Sequence, residues 1–139
     1  MLTFTFCALL LNAQSEDCTL GLGGKDMETI IQVFQLNEVQ QEKLAAWAGE
    51  LKEYNRVMGD SIRILFDTHP QKTMEQLQAL ANKYGILRDK ITYTSSLYDQ
   101  KLLATFNQRQ YDRYVALCRE AIREPMPPYQ EENTRKPPE

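Results

Sequence analysis

The chain has a single histidine, His69, and it stands in a turn before Pro70. No serine or cysteine pairs with it as an activated nucleophile, and a turn position suits capping or solvent contact better than catalysis. No glycine loop follows a strand pattern, so no phosphate cradle is indicated. Methionines are few, and Met58, Met74 and Met126 show no close Met-x-x-Met grouping, so they read as gap-fillers. Glu50, Glu53 and Asp60 share one helical run and read as a solvated face. Charge of one sign is also lacking. Sixteen Lys and Arg stand against 19 Asp and Glu, a net charge of −3, which gives no electrostatic case for nucleic-acid binding. The two-residue alternation of strands occurs nowhere. An enzyme is not expected, and no cofactor is called for.

What remains is the composition of one globular domain of 139 residues. Its first stretch differs from the rest. "MLTFTFCALLLNAQS" is uncharged and apolar and ends in Ala13-Gln14-Ser15, with small residues placed as in a signal cleavage site. It is too short to span a bilayer as a mature helix. The usual Lys or Arg at the start is missing, so the true start codon can lie upstream. A buried N-terminal helix is the alternative. The residues before Cys7 and Cys18 do not resemble a lipidation box. Residues 1–15 are therefore expected to be a signal peptide, and the protein to be exported to the periplasm with no stable membrane insertion.

Removal of Cys7 leaves Cys18 and Cys118. In an oxidising compartment an even pair can form a disulfide. Two separate thiols, with Cys118 a small apolar core residue, is the other possibility. One histidine and two cysteines fall short of the roughly four ligands of a structural zinc site.

The body of the chain is helical in pattern. Asn37 is a good N-cap and Gln40, three residues on, can return its amide to the Asn37 N–H, forming a capping box. Leu44, Trp47, Leu51, Tyr54, Met58, Ile62 and Leu65 then recur at spacings of three and four as one helical stripe. It stops at Pro70. A second stripe runs through Met74, Leu77, Leu80, Tyr84, Leu87, Ile91, Thr94, Tyr98 and Leu102. Asn107 and Gln110 make a second box, opening a shorter helix with Tyr111, Tyr114, Cys118 and Ile122 inward and Pro125 as its stop. Leu36 and Phe106 precede the two caps as hydrophobic staples. Upstream, a glycine turn and a capping Asp26 introduce a short helix with Ile30, Ile31 and Phe34. The expected fold is all-α: a long antiparallel helical hairpin, with a short N-terminal and a shorter C-terminal helix. Residues 16–124 form this domain, and 125–139, rich in proline and charge, are expected to be a disordered tail.

Two Leu-Thr-x-x-Gln motifs, each opening a helix of a small exported all-helical protein, mark the Spy/CpxP family of periplasmic chaperones and stress sensors. They stand here as Leu36-Asn37-x-x-Gln40 and Phe106-Asn107-x-x-Gln110. On these the chain resembles a divergent member of that family, from residue 26 to about 123. Asn replaces Thr in both motifs and Phe replaces Leu in the second; capping chemistry survives, because Asn caps at least as well as Thr. The resemblance implies a cradle-shaped homodimer that binds unfolding polypeptides without ATP. Members tend to be basic and this chain is mildly acidic, which bears on client preference. Metal sensing, found in some relatives, is not carried over.

Placing residues at about 100° per position gives a candidate surface independent of that resemblance. Ile86, Tyr93 and Leu97 point away from the core stripe, flanked by Lys83, Lys90 and Lys101. Val57 and Ile64 lie off the stripe of the first long helix, beside a basic edge of Lys52, Arg56 and Arg63. Apolar residues on two faces call for two partners. The second is either a client or a covering element, namely another helix or a twin subunit. The expected partners are thus unfolded or partly folded envelope proteins. The alternative is a regulatory or adaptor protein that binds one envelope partner, such as a sensor protein.

Overall fold

The computed structural model describes residues 16–24 and 26–131, so the expected signal peptide lies outside the described residues. The chain is all-helical, with α1 Met27–Phe34, α2 Glu38–Thr68, α3 Met74–Leu103 and α4 Gln108–Glu120. The described residues hold no strand, only a lone parallel bridge between Asp17 and Glu124. The 31-residue α2 and 30-residue α3 pack together as the expected hairpin, each about 45 Å long. The helix α1 packs on α4.

Each start has a chemical cause. Asp26 accepts from the Thr29 N–H, and Asn37 and Asn107 form the two expected capping boxes with Gln40 and Gln110. A third box joins them: Thr73 caps α3 and Gln76 answers it. This box pushes the start of α3 to Met74, so the hairpin loop is 69–73 rather than His69–Gln71.

The core is gathered at one end. The α2 residues buried are Gln40, Leu44, Ala48 and Leu51, all in its first half. Leu102 and Leu103 at the far end of α3 meet them, with Ile30 and Phe34 of α1, Tyr114 and Cys118 of α4, and Leu22 and Met126 from the flanking segments. The outer half of the hairpin corrects the expectation of a stripe buried throughout. Leu80 is buried, but Met74 stays 78% exposed, and Leu77 and Tyr84 are exposed too. Two helices alone enclose few side chains, Leu80 among them, and α1 and α4 stack on the inner half alone.

Two further expectations are corrected. The helix α4 ends at Glu120, not at Pro125. A Schellman turn closes it, with the Ile122 N–H donating to the Arg119 carbonyl and the Arg123 N–H to that of Cys118. Ile122 sits at φ 56° and is 87% exposed, so it does not point inward. The segment expected to be a disordered tail is, as far as Tyr129, packed against the domain. Met126 is buried, its N–H bonds the Tyr114 hydroxyl at 2.9 Å, and the Tyr129 N–H bonds the Gln100 carbonyl at 3.0 Å. Pro125, Pro127 and Pro128 favour an extended path, and an extended path can lie along a helix as well as be disordered. Residues 132–139 lie outside the described residues.

Candidate interaction surface

The two capping boxes do more than start helices. Gln40 and Gln110, 70 residues apart, face each other in the core. Each Nε2 donates to the other's Oε1, at 2.8 and 2.9 Å. Each Oε1 also accepts the N–H of its own Asn cap, both at 3.0 Å. The second hydrogen of Gln40 goes to the Thr105 carbonyl, that of Gln110 to the Phe34 carbonyl. Both amides are thereby saturated, two donors and two acceptors each. The arrangement is close to two-fold: each glutamine reaches the chain just ahead of the opposite box. Leu36 is buried, and Phe106 stacks on Phe34 with ring centroids 5.0 Å apart. The motif residues therefore form a clasp joining α1–α2 to α3–α4.

A second set of contacts holds the flanking segments. Cys18 and Cys118 are joined in a disulfide, so of the two possibilities for this pair the bonded one holds. The buried Tyr114 hydroxyl donates to the Cys18 carbonyl at 2.7 Å and accepts the Met126 N–H. Burial above all pushes its pKa up to about 12. Asp99, buried on α3, accepts the N–H groups of Leu20, Gly21 and Leu22. Gly21 at φ 73° gives the backbone the left-handed turn that aims these three at one carboxylate. Desolvation raises the Asp99 pKa, and the three amides oppose it without cancelling it. Gly23 lies against α2 so closely that a Cβ there would come within 2.9 Å of Leu51. No local pattern marks Asp99, because its partners are about 78 residues away along the chain.

The six residues assigned to a client surface do not remain one exposed patch. Ile86 is 41% exposed and Lys83 is exposed. Tyr93 and Leu97 are half-buried and line a cleft of about 690 Å³ against the Glu124–Gln130 segment. Lys90 is half-buried. Lys101 is drawn over the Tyr98 ring, 4.5 Å from its centroid, and that ring faces α2, where its hydroxyl donates to Glu50. Burial and this bond push the Tyr98 pKa up to about 12. Lys101 therefore belongs to the hairpin seam. The basic edge on α2 is locally balanced, since Arg56 pairs with Glu53 and Asp60, and Arg63 with Asp60. Hydrogen bonding to Arg56 holds the Glu53 carboxyl below its ordinary range.

Met27, Val39, Leu117 and Ile122 are exposed at the clasped end, but most of the exposed large apolar side chains lie further out. Val57, Ile64 and Phe66 of α2 and Leu77, Tyr84 and Ile86 of α3 all occur in the outer half of the hairpin. Phe66 and Tyr84 meet edge to face, centroids 5.7 Å apart, and both stay exposed. Among the described residues, no His, Cys, Asp and Glu cluster could hold a metal ion, and no helix is long and apolar enough to cross a membrane.

Compared with known proteins, the chain matches no family model, no curated protein and no solved structure. Fold and surface define a class, an all-α hairpin protein clasped and disulfide-linked at one end and apolar at the other.

Proposed function

We propose that this protein is an ATP-independent chaperone that works in the periplasm as a homodimer and holds unfolding polypeptides on the outer half of its hairpin. The observation that carries this is the set of exposed apolar side chains, Val57, Ile64, Phe66, Leu77, Tyr84 and Ile86, spread around a two-helix arm with no third layer. An unfolded chain offers apolar surface without fixed shape, and a long, open apolar arm meets it without needing a pocket. The exposed Lys83 beside Ile86 adds a charge that draws acidic segments. The disulfide supports an oxidising compartment. The twin boxes support kinship with the Spy/CpxP proteins.

The test is suppression of aggregation by substoichiometric protein, using several unrelated denatured clients, beside a mass measurement for the oligomer. Protection of a range of clients is the expected result; protection of none would sink the reading. Ile86→Ser should leave the melting temperature within a few degrees and weaken protection, because a half-exposed position contributes little to the fold. A large fall in melting temperature or dissociation to monomer would instead make Ile86 part of the scaffold.

A further inference from the structure

We propose that the chain's own C-terminal segment, residues 127–131, is a stand-in for a client, seated on the Tyr93 and Leu97 face of α3 and displaced when an extended polypeptide binds there. The inference rests on the chaperone reading and names a site and a regulation for it.

The geometry carries it in three parts. First, the face is the right kind. Ile86, Tyr93 and Leu97 follow one another at spacings of seven and four, which keeps them on one side of α3. Ile86 is exposed while Tyr93 and Leu97 line the cleft. Second, the occupant has the chemistry of a client. Pro127-Pro128-Tyr129 is apolar and free of regular structure, with Pro127 exposed and Pro128 and Tyr129 half-buried. Two consecutive prolines hold a chain extended before it docks, which lowers the entropy lost on binding. The occupant therefore defines the ligand: an extended, proline-containing segment with an aromatic side chain.

Third, the hold on the segment is uneven. As far as Met126 it is fixed within the core. The Cys18 N–H donates to the Glu124 carbonyl, and Met126 bonds the Tyr114 hydroxyl through its N–H and the Tyr111 hydroxyl through its carbonyl. Pro127 and Pro128 have no N–H to donate. The next backbone tie is the Tyr129 N–H to the Gln100 carbonyl, which already accepts the Ala104 N–H of the helix. Gln130 adds a partner of its own beyond Tyr129; once these ties at the far end break, the segment can peel from Pro127 onward while Met126 stays buried, and peeling joins the Tyr93 and Leu97 face to the exposed apolar arm at Ile86.

The experiment compares the full chain with a form ending at Met126, using heat-denatured citrate synthase as the client. Both forms should melt at nearly the same temperature, since Met126 is retained. The shortened form should protect at a severalfold lower ratio. Leu97→Ser should abolish that gain, yet change the full chain little. Tyr129→Pro in the full chain, which removes the N–H to Gln100, should reproduce the gain and covers the case in which the shortened form fails to fold. Equal or weaker protection by both altered forms overturns the proposal. If no form protects any client, the chaperone reading fails and a direct measurement decides the site. A fluorescein-labelled peptide of residues 127–139 should bind the shortened form saturably, bind its Leu97→Ser version weakly and leave the full chain alone. Absence of that binding overturns the stand-in site.

Discussion

At the scale of single residues, two groups sit where their type is costly. Ile122 occupies the left-handed turn position that ends α4. Glycine is the usual choice there, because a Cβ crowds the following carbonyl, and a branched Cβ does so more. Its side chain is exposed and packs on nothing that must be lost. Ile122→Gly is therefore expected to stabilise the protein by about 1 kcal/mol, read as a raised thermal midpoint. An unchanged or lowered midpoint would count against strain at this turn. Asp99 is the second group. With its pKa raised by burial, the folded protein binds a proton that the unfolded chain has already released. Its stabilising contribution is whole below the ordinary aspartate pKa and is lost as pH rises through the higher folded value. The stability gap between the native protein and Asp99→Asn should accordingly narrow as pH rises above about 4. A gap that widens with pH would mean that the three amides outweigh desolvation. Neither residue announced itself in the pattern. Ile122 sits one turn past Cys118 and so passed for a core residue, and the role of Asp99 depends on partners that only folding brings near.

At the scale of elements, the lesson lies in the capping boxes. Helix starts at Glu38 and Gln108 were legible, because Asn caps and Gln returns depend on a spacing of three. The same spacing at Thr73 and Gln76 starts α3, where the run from Met74 is helical in pattern even without it. What spacing could not disclose is the reciprocal amide pair. Gln40 and Gln110 each satisfy a local cap and a distant carbonyl, and the second task is invisible along the chain. Removing either side chain strips the other of partners in a buried site. Gln40→Ala and Gln110→Ala should each cost about 2–3 kcal/mol, well beyond the about 1 kcal/mol of an Asn37→Ala cap loss. The double substitution should cost less than the sum, and denaturant melts of the four proteins would give a coupling of about 1 kcal/mol or more. Simple additivity would show that the pair stabilises no more than two separate caps do.

At the scale of the whole molecule, the hairpin was foreseen and its uneven packing was not. Helical periodicity marks which residues share a face, but it cannot say how far along a helix a third layer extends. So Met74, Leu77 and Tyr84 carry the stripe past the point where anything covers it. The reverse holds for the last described residues, where proline suggested disorder and the chain instead lies along α3. Stability is accordingly concentrated at the clasped end, with the disulfide as its covalent part. Closing a loop across a separation of 100 residues could contribute up to about 4–5 kcal/mol in the chain-entropy model. Cys18→Ala with Cys118→Ala should lower the thermal midpoint by ten degrees or so, on the order expected for a small domain losing a few kcal/mol. A midpoint within two degrees or so of the native value would assign the end's stability to the Tyr114, Asp99 and glutamine contacts alone.

The Cys18–Cys118 bond also has a mechanical meaning. Tension applied from the two sides of the chain, once it has drawn away the segment beyond Cys118, falls on Cys18 and Cys118, whose Cα atoms are only 5.6 Å apart. The covalent bridge takes that load directly. All of α1, α2 and α3 lies between the two cysteines, in a closed loop that bears none of it. Stretched between two anchors, the chain would straighten only outside this loop. The apolar arm would keep its shape and hang to the side of the line of force like a lever with one fixed end.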